Sequence, residues 1–271
     1  MNKMTLKNKK LWLFDIDGTI SVGDTLFDGS RDLLDYIDSI GGKAYFITNN
    51  STKSTQSYIE KFAKWGIETK SWQFITAGFV TMQYLKNNFG NEKIFVAGTK
   101  AYIKELRANG LNITETADED AKCVCIAFDD EVTYTKLYNA CKLLFEKDIP
   151  YIGTNPDLRC PAPFGFIPDC GALCGTVNAA TGKTPTYIGK PNRIMVDLCV
   201  ENSGFSYDET VVVGDRLYTD IAVGLNAGVD TIAVLTGETT RDEIANTEFV
   251  PQFVFENVRV LVDFLCDKCD M

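Results

Sequence analysis

The sequence contains no histidine among its 271 residues. This absence excludes Ser-His-Asp and Cys-His nucleophilic catalysis, histidine-ligated zinc and histidine proton shuttles. Basic residues are also scarce, because 27 Lys and Arg face 37 Asp and Glu and leave a formal net charge of −10. Nucleic acids and anionic membranes reward clustered positive charge, so we expect neither as a partner. Any chemistry must therefore rely on carboxylates, Lys, Arg, Tyr, Cys or hydroxyl groups.

Long hydrophobic runs are absent as well. The N-terminal lysines precede only four apolar residues, Leu11–Phe14, whereas a signal peptide needs about 7–15. No stretch reaches the roughly 18 apolar residues that cross a membrane. We therefore expect a cytoplasmic location, in which the nine cysteines stay reduced. Only Cys266 and Cys269 have a common metal-ligand spacing, and they lack a second such pair, which favours buried thiols over a metal site.

Short apolar strands alternate with helical stretches along the chain. Apolar residues make up 45% and charged residues 24% of the sequence, a balance typical of globular proteins. Among the predicted strands are Leu11–Phe14, Lys43–Ile47 and Val211–Val213. Fully apolar strands that alternate with helices indicate parallel sheets covered on both faces. The sequence therefore predicts an α/β fold with a doubly wound parallel sheet.

Four predicted strands end in unusual polar residues. Ligands of such sheets bind beyond the carboxyl ends of the strands, so these residues are the candidates for chemistry. Each motif alone has an ordinary explanation as a turn, a helix cap or a first-turn acid, but their joint occurrence favours a functional site. In chain order they are Asp15 and Asp17 after Leu11–Phe14, Thr48 and Asn49 after Lys43–Ile47, Lys190 after Tyr187-Ile188-Gly189, and Asp215 and Asp220 after Val211–Val213.

These polar residues fall into two separated parts of the sequence. The first group lies before residue 52 and the second after residue 186, and the roughly 100 residues between them carry strands of their own. We therefore predict a discontinuous catalytic core domain over residues 1–80 and 187–271. Residues 81–186 are predicted to form an inserted α/β cap domain.

The residue types point to phosphoryl chemistry. Asp15, Asp17 and Asp215 bring together carboxylates whose repulsion requires a cation, and oxygen donors without histidine favour Mg²⁺. In such a site Mg²⁺ and Lys190 neutralise the phosphoryl oxygens, while Thr48 hydrogen-bonds to them. Asp15 is then the candidate nucleophile that forms an aspartyl phosphate. Asp17 is the candidate general acid and base, protonating the leaving oxygen and later deprotonating water.

Together the four motifs resemble the haloacid dehalogenase superfamily of phosphatases. The presence of Asp17 implies a phosphatase or mutase, because dehalogenases and the related ion-pumping ATPases lack this second aspartate. The insert between the second and third motifs resembles the large type II α/β cap. Segments 48–51, 154–157, 168–172 and 189–191 are similar to the NagD-like or 4-nitrophenylphosphatase-like subfamily. The matching motifs are Asp15-Ile16-Asp17-Gly18-Thr19, Thr48-Asn49, Lys190, and Gly214-Asp215-Arg216 with Asp220.

The resemblance also implies individual roles. The Asp15 carboxylate, the Asp17 main-chain carbonyl and Asp215 are expected to hold Mg²⁺. Asp220 is expected to act through a metal-bound water or to orient its loop. Asn49 is expected to offer its main-chain N–H to the phosphoryl group, beside Thr48 and Lys190.

Selection of the leaving group is assigned to the cap. The core motifs contact only the phosphoryl group and the metal, which all substrates share. The segment Asn155–Gly171 follows an apolar strand and is rich in Pro and Gly, which suits a shaped recognition loop. Its charged residues Arg159 and Asp169 are therefore the candidate specificity residues, the alternative being an ordinary surface loop.

The sequence thus predicts a Mg²⁺-dependent phosphatase that hydrolyses a small soluble phosphate monoester through an aspartyl phosphate. Nucleotides, sugar phosphates, phosphoglycolate-like acids and aryl phosphates are all candidate substrates. The alternatives are a phosphomutase and a non-catalytic phosphate-binding regulatory protein. The intact set of Asp15, Asp17, Lys190 and Asp215 disfavours the regulatory protein, because a degenerate scaffold should have lost at least one of them. The number of subunits is left open, with a homodimer among the alternatives.

Overall fold

The computed structural model describes residues 6–50, 54–162 and 164–266; Cys269, named above as half of a metal-ligand pair, lies outside them. The described residues form two compact units. The core unit comprises residues 6–48, 54–75 and 190–266, and the insert unit comprises residues 49–50 and 76–189. The divisions after residues 75 and 189 lie a few residues from the predicted boundaries, whereas residues 49–50, predicted to belong to the core domain, group with the insert unit.

The strands and helices alternate along the chain. In chain order the strands are β1 (Leu11–Phe14), β2 (Ser21–Val22), β3 (Thr25–Leu26), β4 (Lys43–Thr48), β5 (Phe74–Thr76), β6 (Lys93–Ala97), β7 (Asn112–Thr114), β8 (Cys123–Ile126), β9 (Tyr151–Gly153), β10 (Arg159–Ala162), β11 (Gly165–Pro168), β12 (Thr186–Tyr187), β13 (Thr210–Gly214), β14 (Asp230–Val234) and β15 (Phe253–Phe255). The helices are α1 (Ser30–Ser39), α2 (Thr55–Lys64), α3 (Ala77–Phe89), α4 (Lys100–Ala108), α5 (Tyr134–Glu146), α6 (Cys170–Thr181), α7 (Ile194–Ser203), α8 (Ala222–Ala227), α9 (Arg241–Ala245) and α10 (Val258–Leu265).

The core unit is built on a six-stranded sheet with the order β15-β14-β13-β1-β4-β5. The pairs from β15 to β4 are parallel. In this register Phe14 of β1 lies between Val213 of β13 and Phe46 of β4. The residues that follow these three central strands therefore emerge at one edge of the sheet, as the sequence predicts.

Helices cover both faces of this sheet. On one face, Trp12 and Phe14 belong to a buried cluster with Leu33 of α1, Phe62 of α2 and Leu261 of α10. On the other face, α7 contacts β1 and β4, and α8 contacts β13 and β14. The doubly wound α/β fold predicted from the sequence is thus confirmed.

The insert unit has its own five-stranded sheet with the order β12-β9-β8-β6-β7. All its neighbouring strands are parallel. Val124 and Ile126 of β8 pack in a buried cluster with Leu143 of α5 and with Cys170 and Cys174 of α6. These two thiols therefore act as apolar core groups. A separate antiparallel hairpin joins β10 to β11.

One strand lies in a different sheet from the one its position suggests. The sequence places Tyr187-Ile188-Gly189 in the core, but β12 pairs with β9 in the insert sheet, with Thr186 opposite Ile152. A two-residue strand has too little pattern to identify its sheet, so only tertiary pairing decides it. Lys190 is the first residue of the core unit after this strand.

Among the helices of the described ranges, none is long and apolar enough to cross a membrane.

Candidate active site

The carboxyl edge of the core sheet gathers three aspartates. Asp15 directly follows β1, and its backbone N–H donates to the carbonyl of Val213 at 2.9 Å. Asp215 follows β13, and Asp220 lies in the π-helical turn Leu217–Ile221. One oxygen from each of Asp15, Asp215 and Asp220 lies within 4.8 Å of the others. The structure therefore brings together acids that are about 200 residues apart in the chain.

Lys190 lies between two of these carboxylates. Its ammonium donates to Oδ1 of Asp15 and to Oδ1 of Asp220, each at 2.6 Å. A third bond, to the carbonyl of Ile47 at the end of β4, measures 3.2 Å. Lys190 is 2% exposed, so these oxygens replace its hydration and hold its ammonium at the carboxyl edge.

Asp220 is held firmly by its own turn. Its Oδ2 accepts a hydrogen bond from the backbone N–H of Arg216 at 3.0 Å, while its Oδ1 accepts the bond from Lys190. A Cβ on Gly214 would overlap the Asp220 side chain, so only glycine allows the end of β13 to lie this close to Asp220. Both oxygens of Asp220 thus have protein donors, which suits the loop-orienting role named above.

Asp215 is oriented by residues from two loops. Thr19 donates its hydroxyl to Oδ1 at 3.3 Å, and the backbone N–H of Glu238 donates to Oδ2 at 2.9 Å. Gly18 has a φ of +100°, and a Cβ there would lie 2.6 Å from Oδ2. A Cβ on Gly237 would overlap the same oxygen. The two glycines allow the backbone to pack directly against this carboxylate.

The electrostatics of the cluster favour a cation. Burial, together with repulsion from Asp220 and Asp215, raises the pKa of Asp15 well above its usual value, although Lys190 opposes this shift. Burial and Asp220 raise the pKa of Asp215 to about 6. Burial lowers the pKa of Lys190, but Asp15 and Asp220 outweigh it and raise that pKa overall. One ammonium among three acids leaves excess negative charge, which a hard divalent ion would balance.

Asp17 lies at the rim of this cluster. Its side chain is 39% exposed, and Oδ1 accepts a hydrogen bond from Lys61 of α2 at 3.1 Å. Lys61 lies outside the four sequence motifs and was not predicted as a site residue. A signal was present, because Lys61 shares the buried face of α2 with Tyr58 and Phe62, where a lysine requires a polar partner.

Thr48 and Asn49, the predicted phosphate-binding pair, follow one another at the end of β4. Thr48 is the last residue of the strand and is buried. Asn49 begins the insert unit, where its carbonyl accepts a hydrogen bond from Asn155 at 3.2 Å. Their phosphate-binding roles stay predictions.

The two predicted specificity residues lie in the insert unit in different surroundings. Arg159 is exposed in β10, and its guanidinium stacks 4.3 Å from the ring centroid of Phe166 in the same hairpin. Asp169 is buried, and its carboxylate accepts a hydrogen bond from the backbone N–H of Cys170 at 2.6 Å, at the start of α6. Asp169 thus caps helix α6. A role in substrate specificity would come in addition to this structural role.

Comparison with known proteins identifies the family of the chain. The family model described as haloacid dehalogenase-like hydrolase matches residues 12–112, and a second, HAD-hydrolase-like model matches residues 187–261. An acid sugar phosphatase of Staphylococcus haemolyticus is 33% identical over 96% of this chain and 98% of its own.

Solved structures indicate the same family. The 4-nitrophenylphosphatase from Thermotoga maritima is 36% identical, with a TM-score of 0.88 over 96% of this chain and 98% of its own. NagD from E. coli K-12 is 29% identical, with a TM-score of 0.84 over 93% of this chain and 97% of its own. The chain therefore belongs to the haloacid dehalogenase superfamily, among its NagD-like and 4-nitrophenylphosphatase-like phosphatases, and the predicted enzyme class, phosphoric monoester hydrolase, is confirmed.

Proposed function

We propose that this protein is a Mg²⁺-dependent phosphatase that hydrolyses small sugar or aryl phosphate monoesters through an aspartyl phosphate on Asp15. The observation that carries the proposal is the cluster of half-buried Asp15 with buried Asp215 and Asp220, in which Lys190 is hydrogen-bonded to Asp15 and Asp220. Three hard oxygen donors with an unbalanced negative charge fit Mg²⁺. Asp15 and Asp215 would hold the ion, with the main-chain carbonyl of Asp17. When bound, Mg²⁺ polarises the phosphoryl oxygens and offsets their charge.

The chain's own residues then divide the reaction into two steps. A carboxylate oxygen of Asp15 forms a bond to phosphorus while the bond to the ester oxygen breaks, and Asp17 gives a proton to that oxygen. Lys190, held as an ammonium by Asp15 and Asp220, balances negative charge on the transferring group. Thr48 and the main-chain N–H of Asn49 bind phosphoryl oxygens.

The second step regenerates the free carboxylate. Water attacks phosphorus and gives its proton to Asp17, and the bond between phosphorus and Asp15 breaks to release inorganic phosphate. Asp17 suits both proton transfers because its carboxyl group is partly exposed at the rim of the cluster, whereas Asp15 and Asp220 lie deeper.

Sugar and aryl phosphates are the substrate classes that the relatives support. Two of the similar proteins carry the names acid sugar phosphatase and 4-nitrophenylphosphatase. Both classes are small monoesters that share only the phosphoryl group, which is the part that the core residues would bind. We therefore propose that the natural substrate is a small phosphorylated metabolite.

Phosphate release from purified protein tests the proposal. Glucose-6-phosphate and 4-nitrophenyl phosphate should each yield inorganic phosphate with Mg²⁺, and EDTA should stop the reaction. Protein quenched in acid during turnover should carry one phosphoryl group on the peptide that contains Asp15, as mass spectrometry can show. Transfer of the phosphoryl group to a second sugar hydroxyl instead of water would identify a mutase. Binding without turnover would identify a regulatory protein.

A further inference from the structure

Lys61 is a buried cation for which the proposed reaction has no role so far. It is 7% exposed on the inner face of α2. Its ammonium donates to Oδ1 of Asp17 at 3.1 Å and to the hydroxyl of Ser21 at 3.3 Å. The ammonium also lies 5.1 Å from the ring centroid of Trp65. Burial of an ammonium is costly, so its position must be set by these partners.

The two oxygens that Lys61 binds belong to opposite ends of one tight turn. Asp17 and Ser21 form an isolated β-bridge, and the backbone N–H of Gly18 donates to the carbonyl of Ser21 at 2.7 Å. Ser21 is fully buried. Lys61 therefore links the Asp17 side chain to the buried hydroxyl of Ser21 in the same turn.

This contact orients the two carboxyl oxygens of Asp17. Lys61 donates to Oδ1, and Oδ2 is the oxygen that we assign to the transfer of the proton. With Oδ1 held from one side, the remaining oxygen has a restricted orientation. General acid catalysis depends on such placement, because the proton must lie within hydrogen-bond reach of the leaving oxygen.

We propose that Lys61 is a positioning residue that holds Asp17 in the orientation from which it protonates the leaving group. The inference rests on the proposed function and deepens it. Lys61 does not contact the substrate; it acts through Asp17. The role predicts a dependence on the leaving group, because a poor leaving group needs the proton and a good one does not.

The decisive measurement is the ratio of kcat/KM values for two esters. The alkoxide of glucose is a poor leaving group and requires protonation, whereas 4-nitrophenolate departs with little help. The parameter kcat/KM reports the steps through phosphorylation of Asp15, in which the leaving group departs. It does not contain the later hydrolysis step, which all substrates share and in which Asp17 would act as a base.

Lys61→Met keeps the aliphatic chain and removes the charge and the donors. We expect kcat/KM for glucose-6-phosphate to fall about 10–100-fold and that for 4-nitrophenyl phosphate to fall no more than about 3-fold, since general acid catalysis contributes about 10²–10⁴ and only part of it depends on orientation. Lys61→Arg, which keeps a charged donor, should bring the ratio of the two kcat/KM values part of the way back to that of the parent protein. If Lys61→Met does not fold, Lys61→Gln supplies the same measurement with a polar side chain.

Two controls identify the cause. Lys64→Met changes an exposed lysine at the end of α2 and should leave both values unchanged. Asp17→Asn should likewise lower kcat/KM for glucose-6-phosphate more than for 4-nitrophenyl phosphate. Adding Lys61→Met to Asp17→Asn should change the ratio of the two kcat/KM values little, because the effects of coupled residues are not additive. An equal fall for both esters in Lys61→Met, or full additivity with Asp17→Asn, would overturn the inference and leave Lys61 a stabilising residue only.

Failure of this inference is separable from failure of the proposed function. Turnover by the parent protein, with its loss in Asp15→Asn, tests the aspartyl phosphate mechanism. An active parent with an unchanged ester ratio in the Lys61 variants would reject only the positioning role. An inactive parent would reject both.

Discussion

The ammonium nitrogen of Lys190 lies 2.6 Å from Oδ1 of Asp15, in a pair whose side chains are 3% and 13% exposed. Two residues 175 positions apart in the chain thus form a contact that is nearly closed to solvent. A charge-assisted bond of this kind is short and directional, so it holds the carboxylate of Asp15 in one orientation. Such fixed geometry suits the proposed nucleophile.

Asp15→Asn keeps the shape of the side chain and removes its charge. We expect kcat to fall by at least about 10³-fold for every ester, because removal of a covalent nucleophile leaves only binding and electrostatic effects. Phosphate release measures the fall. Asp24→Asn, an exposed acid in the same unit, should retain parental turnover. Near-parental kcat in purified Asp15→Asn would eliminate the aspartyl phosphate mechanism.

Gly237→Ala should weaken the metal site although it replaces none of the proposed ligands. A Cβ at this position would overlap Oδ2 of Asp215, so the carboxylate must move. We expect the Mg²⁺ concentration for half-maximal activity to rise at least about 10-fold, since displaced supports of metal ligands typically cost 10–100-fold in affinity. The matched control is Gly175→Ala, because a Cβ on that helical glycine meets nothing within 4 Å. An unchanged Mg²⁺ requirement in Gly237→Ala would show that Asp215 does not bind the ion.

The stabilisation by Mg²⁺ should grow as pH rises. The pKa of Asp215 is raised to about 6 in the folded protein. The protonated carboxyl group therefore contributes stability that is fully present below the ordinary pKa of aspartate and is lost as pH rises through about 6. The raised pKa of Asp15 acts in the same direction. Mg²⁺ binds the ionised carboxylates and competes with their protons. Its effect should therefore be largest where these groups are charged.

Thermal unfolding with and without Mg²⁺ checks this expectation. The increase in Tm that Mg²⁺ causes should be clearly larger near pH 7.5 than near pH 5, because protons occupy the site at the lower pH. Asp215→Asn should abolish most of the increase at both values. An increase in Tm that is independent of pH would contradict a site built on carboxylates with raised pKa values.

Arg159 and Asp169 should respond differently to truncation. Arg159→Ala removes an exposed guanidinium from a hairpin, so we expect an altered ranking of esters by kcat/KM with little change in Tm. Asp169→Ala removes the cap of α6 and should lower the free energy of unfolding by about 1 kcal/mol. Asp169→Asn, which can still accept the bond from Cys170, separates capping from recognition. If Arg159→Ala keeps the parental ranking, leaving-group selection lies elsewhere in the insert unit.

The central framework of this protein could be predicted from its amino-acid pattern. β1 is buried throughout and ends where predicted, β4 extends one residue beyond its predicted end, and β13 extends one residue beyond its prediction at each end. Strands of this kind are readily predicted because burial on both faces leaves few polar positions, which here lie at the strand ends, at Lys43, Thr48 and Thr210. The strand pattern alone therefore places the acids that follow β1 and β13 at one sheet edge.

The contacts of each of these residues, in contrast, depend on how distant segments pack together. The bond from Lys190 to Asp220, the packing of Gly237 against Asp215, and the pairing of β12 with the insert sheet all join residues whose local sequence carries no information about the partner. Lys61 shows the same limit: its place on an apolar helix face signals a buried partner, but not that this partner is Asp17. Strand and helix patterns reflect backbone geometry within a few neighbouring residues. These contacts form only when distant segments pack together and exclude water, because their buried charges and polar groups then need partners from one another.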